Sequence, residues 1–349
     1  MNKLPSFRAA AVQTAPVFLN VNATVDKACS LIQEASANGA ELVAFPEVFV
    51  CAYPYWSWII SPVEGSEWFQ RLYENSIEIM GPEVQRLLDA AKKHSINVVI
   101  GINERDPIRI GTLFNTNLII SSQGALLGCH RKLVPTWAEK LVWSGGDGSS
   151  LNVYDTSVGP LGTLACGENT NPLARFALLS QGELIHVANY ISLPVAPKNY
   201  NMAEAIKLRG SAHSFEGKVF TVVSCSTVSE EIINTLESAT PNARELLSRG
   251  NSAFSGILGP DGNTVGDVLI DEEGIVYADI DLNLCIQPKQ MHDILGHYNR
   301  FDVFDLRVNR TALQPVNFVS HQGSNDDNDS TTDRSSPVTA AEQPMRFKP

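Results

Sequence analysis

The sequence has no run approaching the ~18–20 consecutive apolar residues needed to span a bilayer, which excludes a single-pass apolar helix. Basic side chains are scarce. Lys and Arg number 26 against 38 Asp and Glu, a formal net charge of −12 at pH 7. That balance argues against nucleic acid or an anionic membrane surface as a partner. The six cysteines (Cys29, Cys51, Cys129, Cys166, Cys225 and Cys285) are scattered and form no CxxC pair, so they read as reduced thiols, mostly small core residues. None of the seven histidines falls in an HExxH or Cys/His finger pattern, and His292 and His297 read as surface or packing residues rather than ligands; no metal is expected. No GxGxxG or P-loop motif occurs, and Gly256-Ile257-Leu258-Gly259 reads as strand plus turn, so no nucleotide cofactor is expected.

What is present is ordinary globular composition. The 349 residues are 44% hydrophobic and 18% charged, enough to bury a sizeable core in one large α/β domain or in two domains. The segment leading to Phe18 lacks the apolar stretch and cleavage site of a signal peptide and reads as the first strand, so the expected location is cytoplasmic. Strand candidates are Phe7–Gln13, Glu41–Glu47, Asn97–Glu104, Phe114–Ser121, Leu161–Gly167, Glu183–Tyr190, Val219–Ser226, Ser252–Gly259 and Gly274–Asp281. A helix is expected after Asn22, with Val25, Ala28, Cys29 and Ile32 on one face and a stop near Asn38-Gly39. Another starts at Gly81-Pro82-Glu83 and buries Val84, Leu87, Leu88 and Ala91. Gly259-Pro260-Asp261-Gly262 reads as a turn between strands. Alternating apolar strands and helices imply a layered α/β fold, and periodicity leaves open whether it is one doubly wound sheet or two sheets face to face. From Ser320 to Pro349 the chain is polar and poor in large apolar residues, so the domain is expected to span 1–319 and the tail 320–349 to be disordered.

Four side chains could carry chemistry. Cys166 closes the apolar run Leu161-Gly162-Thr163-Leu164-Ala165 and precedes a turn and a helix-period segment with Leu173, Phe176, Ala177 and Ser180 on one face. A strand-to-helix turn presents a nucleophile where free N–H groups can receive an oxyanion, although most cysteines at strand ends merely pack. Glu47 closes Glu41-Leu42-Val43-Ala44-Phe45-Pro46. A carboxylate there is either a solvated loop residue or a buried acid with a raised pKa, suited to general base work. Lys132 sits in the basic cluster Cys129-His130-Arg131-Lys132, which alone reads as a surface loop, and Glu139 alone reads as surface charge.

Their joint order is more specific than any one of them. Phe45-Pro46-Glu47, His130-Arg131-Lys132-Leu133-Val134-Pro135-Thr136 and Gly162-Thr163-Leu164-Ala165-Cys166-Gly167-Glu168-Asn169 together resemble the nitrilase superfamily. The stretch from Trp143 through Asp147-Gly148-Ser149 and the segment Asp293-Ile294-Leu295-Gly296-His297-Tyr298-Asn299-Arg300-Phe301-Asp302 resemble its nitrilase branch. The resemblance spans roughly residues 7 to 305 and implies a four-layer α–β–β–α sandwich. It also implies Cys166 as nucleophile, Glu47 as general base, and Lys132 as charge stabiliser oriented by Glu139. Two positions depart from the pattern. Gly167 stands where nitrilases commonly have Trp, which keeps an N–H for the oxyanion but removes an aromatic wall. Ala138 stands where many relatives have His.

The implied reaction is attack of Cys166 on a nitrile to give a thioimidate, then ammonia and a thioester, then a carboxylic acid. Rival readings are an amidase or a cyanide-converting member of the same superfamily, and more remotely a non-catalytic assembly module. Pocket walls are expected from Tyr53 to Trp58, from the Asn189–Tyr200 region and from the Lys132 loop, with Trp137 among them. Their aromatic content points to an apolar substrate. By resemblance the protein should self-associate into dimers and larger spirals.

Overall fold

In the computed structural model residues 3–314 and 316 are described, and the expected polar tail lies outside them. In chain order the strands are β1 Ser6–Gln13, β2 Leu42–Ala44, β3 Asn97–Arg105, β4 Leu113–Ile120, β5 Leu126–Arg131, β6 Tyr154–Thr156, β7 Gly159–Ala165, β8 Ile185–Tyr190, β9 Phe220–Cys225, β10 Phe254–Leu258, β11 Thr264–Ile270 and β12 Gly274–Asp281. The helices are α1 Val21–Ala37, α2 Trp56–Ile59, α3 Ser66–Glu74, α4 Pro82–His94, α5 Pro172–Leu179, α6 Met202–Gly217, α7 Glu230–Glu237, α8 Ala243–Leu247 and α9 Ile286–Met291.

Hydrogen bonding runs β5-β4-β3-β2-β1 and then β9-β8-β7-β6, with β12 beside β1 and β10 and β11 extending from β9. Among the described strands the two halves pair at Gln13 opposite Cys225, and they fold face to face. Strand alternation explains why. Phe7, Ala9 and Ala11 of β1 share one buried cluster with Ile185 and Val187 of β8 and Phe220 and Val222 of β9. The intervening Ala10 and Val12 turn the other way, onto Val25, Ala28 and Ile32 of α1 and Val84, Leu87 and Ala91 of α4. On the far side Ala188, Tyr190 and Val223 pack on Met202, Ala203 and Ile206 of α6. Helices, sheet, sheet, helices: the fold is the four-layer α–β–β–α sandwich.

Local signals set several boundaries. Asn20, two residues earlier than expected, caps α1 by accepting from the Ala23 N–H at 3.1 Å, and Gly39 follows the helix at φ +83°. Pro82 opens α4. The Gly259–Gly262 turn closes as expected, with Gly262 at φ +80° and the Gly259 N–H on Asn263 O at 2.8 Å. Two expectations are corrected. The basic cluster is no surface loop: Cys129, His130 and Arg131 belong to β5, and Lys132 is 1% exposed. In α5 the buried face is Ala174, Ala177 and Leu178, whereas Leu173 is 59% exposed.

β2, β3 and β5 run in one direction, as do β7, β8 and β9, and the Gln13–Cys225 pairing is parallel. The ends of β2, β5 and β7 therefore lie at one end of the sandwich, and Glu47, Lys132 and Cys166 leave from those ends.

Candidate active site

Glu47, Lys132 and Glu139 form a single buried cluster, each 1% exposed. Lys132 Nζ donates to Glu47 Oε1 at 2.8 Å and to Glu139 Oε2 at 2.7 Å, which leaves one of its three N–H donors. Glu139 also accepts from the Thr136 N–H at 2.7 Å and from the Tyr53 hydroxyl at 2.9 Å. Glu47 Oε1 accepts a further bond from Asn115 Nδ2 at 2.7 Å. Its second oxygen, Oε2, has no hydrogen-bond partner among the described residues.

Burial raises the Glu47 pKa most, with the Glu139 charge adding to it and Lys132 opposing. Burial disfavours the Lys132 ammonium, but the two carboxylates outweigh it and hold the lysine charged far beyond neutrality. The Cys166 thiol is pushed well up by burial and then by the Glu47 charge, while Lys132 and Arg209 pull it down. These shifts favour the neutral thiol of Cys166 over its thiolate.

The backbone holds these groups from several sides. Glu47 follows Phe45, whose N–H bonds Val99 O, and its own N–H reaches Tyr190 O across the sandwich. Gly101 lies under this turn: a Cβ there would sit 2.3 Å from Val48 N and 2.6 Å from Pro46 O. Lys132 N–H bonds Asn115 O at 2.8 Å, and Gly146 N–H bonds Lys132 O at 2.8 Å. The Gly-rich stretch noted in the sequence has a steric reason. A Cβ on Gly146 would fall 2.2 Å from Arg131 O, and one on Gly148 would fall 2.1 Å from Asn309 O. These glycines let the chain press against the lysine segment on one side and the C-terminal segment on the other.

Cys166 starts a short 3₁₀ turn, Cys166–Thr170, with φ of 49°. Glu168, quoted from the sequence without a role, ties this turn to the lysine segment. Its carboxylate accepts from Leu133 N–H at 2.7 Å and Ala165 N–H at 2.9 Å, with His130 Nε2 at 2.9 Å. Burial opposes the charge on both partners, but their mutual attraction wins: Glu168 is lowered and His130 raised. Asn169 donates to Leu164 O and Cys166 O and accepts from His186. His186 leads to the only candidate metal cluster among the described residues, Glu183, His186 and His213, whose ligand atoms lie within 4.8 Å of one another. Those atoms are already spent on one another, Glu183 bonding His186 at 2.8 Å and His213 at 2.9 Å.

Cys166 and Gly167 open onto a cavity of about 700 Å³, walled by Trp58, Thr136, Trp137, Leu193, Val195 and Met202 among others. Trp137 is three-quarters exposed and lies against Trp58 at 6.1 Å between ring centroids. A Cβ on Gly167 would meet only Thr136 Oγ1, at 3.2 Å. Tyr53 is not on this wall; it reaches the site through Glu139 and accepts from Trp58 Nε1 at 2.8 Å. Asn189 is not on it either, which corrects the expectation. Its carboxamide is fully buried and exchanges hydrogen bonds with Asn117 of the facing sheet. Asn115 was missed by sequence reasoning, although three polar residues, Asn115-Thr116-Asn117, inside an otherwise apolar strand signal buried partners.

This fold and cluster define a class of enzyme that works on carbon–nitrogen bonds. The chain belongs to the carbon–nitrogen hydrolase family, whose model matches residues 8–290. Among curated relatives, it is 42% identical over 318 residues to an "Aliphatic nitrilase" of Rhodococcus rhodochrous, covering 89% of this chain and 85% of that protein. It is 37% identical over 309 residues to a "Nitrilase" of Paraburkholderia phymatum, covering 88% of each. Its fold matches that of a carbon–nitrogen hydrolase from Helicobacter pylori with a TM-score of 0.67, at 20% identity over 82% of this chain and 93% of that one. Saccharomyces cerevisiae Nit3, a member of branch 10 of the nitrilase superfamily, matches with a TM-score of 0.65, at 20% identity over 84% and 97%.

Proposed function

We propose that this protein is a nitrilase, converting an organic nitrile and two waters into a carboxylic acid and ammonia. The observation that carries the chemistry is the unpartnered Glu47 Oε2 in a cluster where the ammonium is locked between two carboxylates. The names of the relatives over nearly the whole chain favour nitriles over amides as substrate.

Cys166 Sγ attacks the nitrile carbon as its proton passes to Glu47 Oε2. The nitrile nitrogen takes a proton from Lys132, which is reprotonated by the Glu47 carboxyl that took the thiol proton, leaving a thioimidate with Glu47 and Lys132 back in their starting states. Water adds, its proton moving through Glu47, and the tetrahedral species breaks its C–N bond to release ammonia. The remaining thioester is hydrolysed by a second water, freeing the acid and restoring the thiol. The Gly167 N–H, in the first turn where no helical carbonyl stands behind it, and the third Lys132 N–H offer donors to each tetrahedral stage. The raised Glu47 pKa makes its carboxylate a better base than a solvated one.

Cys166→Ala tests this directly. Wild type should release ammonia from aliphatic, arylaliphatic or aromatic nitriles, and the variant none while keeping its melting temperature. Nitrile hydrolysis retained in the variant would overturn the assignment, and ammonia from amides alone would make it an amidase. We extend the reading to a cytoplasmic enzyme that self-associates beyond the dimer. Exposed Leu173, Leu208 and Phe215 on α5 and α6 support association, and a monomer in analytical ultracentrifugation at micromolar concentration would refute it. No helix among the described residues is long and apolar enough to cross a membrane.

A further inference from the structure

Among the described residues, the charged side chains lining the Cys166 cavity are Lys198, Arg209 and Arg249 and no carboxylate lines it, Glu47 and Lys132 being buried behind its wall. In a chain of net charge −12, that is a local reversal of sign. Two of these cations are partly offset, since Lys198 and Arg249 each lie 3.5 Å from Glu245. Arg209 forms no ion pair with any described residue. Its Nε donates to Thr170 Oγ1 at 2.7 Å, Nη1 to Ala205 O at 3.0 Å and Nη2 to the Tyr200 hydroxyl at 3.1 Å. All three acceptors are neutral. A guanidinium has five N–H donors, so one remains on each terminal nitrogen.

The side chain is half-buried, beside walls formed by Trp58, Leu193, Val195 and Met202. A fixed cation there, short of both a counter-charge and part of its water, is poised for an anion that brings both charge and acceptors. Its anchor adds geometry. Thr170 ends the short turn that Cys166 begins, so guanidinium and nucleophile are tied to one piece of backbone with the cavity before them. We propose that Arg209 is the specificity-determining group of this pocket, and that the preferred substrates are nitriles bearing a carboxylate at the end remote from the nitrile. The inference rests on the nitrilase reading and narrows its substrate class to cyano-carboxylates, whose products are dicarboxylates.

The test compares ω-cyanoalkanoates of roughly two to five methylenes with neutral nitriles in which isopropyl replaces the carboxylate, reading ammonia. Wild type should show a higher kcat/KM for the acid than for its neutral isostere at one or more lengths. In Arg209→Gln the acid-to-neutral ratio of kcat/KM should fall about tenfold or more, chiefly through KM, since a charge-assisted bidentate contact is lost. Arg209→Lys, which keeps charge but loses the fork, should fall between. Wild type favouring the neutral isostere at every length overturns the proposal whatever the variants do, and so does an unchanged ratio in Arg209→Gln. Ammonia from neutral nitriles but none from cyano-acids sinks this inference and spares the nitrilase reading. No ammonia from any nitrile removes both.

Discussion

Replacing Glu139 by Gln removes one charge from the buried cluster and almost nothing of its shape. The carboxylate accepts three hydrogen bonds, from Tyr53 on one oxygen and from Lys132 and Thr136 on the other. Gln must turn its oxygen toward Lys132 and Thr136, which points its NH₂ at the Tyr53 hydroxyl; that oxygen already accepts from Trp58 and can accept again. The bond from Lys132 drops from ionic to charge–neutral and the Tyr53 O–H, now receiving the amide, loses its acceptor, a combined loss of about 2–4 kcal/mol. Stability should fall by about that much, several degrees in melting temperature. Catalysis should suffer more. Glu139 is one of the groups that raise the Glu47 pKa. Without it Glu47 becomes a weaker base, and Lys132 loses half of the clamp that aims its free N–H. General base and charge-positioning effects of this kind are each worth about 10²–10⁴ in rate, so kcat/KM should drop at least a hundredfold. The sign of the pH effect follows: the acid limb of kcat/KM, where Glu47 must ionise, should move to lower pH in the variant. Ammonia release across pH, with melting temperatures alongside, is the assay. Activity within tenfold of wild type, or an acid limb shifted upward, would refute the reasoning.

Gly146→Ala should shift the lysine segment, because its new Cβ would meet Arg131 O at 2.2 Å; a loss of about 1–3 kcal/mol and at least tenfold in kcat/KM is expected, and unchanged kinetics would show that Lys132 tolerates movement. The buried Glu183–His186–His213 cluster should make stability fall on the acid side. Burial, then His186, pushes His213 down to about 4 from an ordinary 6.5, so below about pH 6.5 the unfolded chain takes up a proton that the folded one refuses. The associated loss develops as pH drops from about 6.5 to about 4 and amounts to about 3 kcal/mol at its end. Glu183, held to about 2 by the histidines against desolvation, starts to lose its contribution as pH falls below about 4.5 and loses the rest toward pH 2, so it adds to the slope only at the bottom of that window. Urea unfolding at several pH values would measure the slope, and a flat profile between pH 6.5 and 4 would count against the burial of a neutral His213.

The sequence made Cys166 and Glu47 legible because each closes an apolar strand, where a polar side chain needs a reason, whereas Lys132 and Glu139 stood out only through their joint order with these two. It did not make their environment legible. Lys132 reads as surface charge when its neighbours are His130 and Arg131, and only the pairing of β5 with β4 shows that the segment is interior. The α5 face was misjudged because Leu173 and Phe176 are as apolar as the residues that point inward, and periodicity does not say which of two apolar stripes meets the chain's own core. Asn189 lies close in sequence to residues that do line the cavity, yet strand alternation turns it into the inter-sheet layer, opposite Asn117.

The supporting residues share a property that a single sequence hides: each acts by joining segments far apart in the chain. Asn115 binds the Glu47 side chain and the Lys132 backbone at once. Glu168 binds the lysine segment and the Cys166 turn. Arg209 ties α6 to the end of that same turn. Buried polar groups joined in this way specify one arrangement, because any displacement leaves a desolvated donor or acceptor unpaired. The free oxygen of Glu47 and the two unspent donors of Arg209 stand out against that saturation. Asn115 Oδ1 and the Tyr190 hydroxyl are likewise without a partner among the described residues, so the open groups gather around Cys166 on one side and at Arg209 on the other.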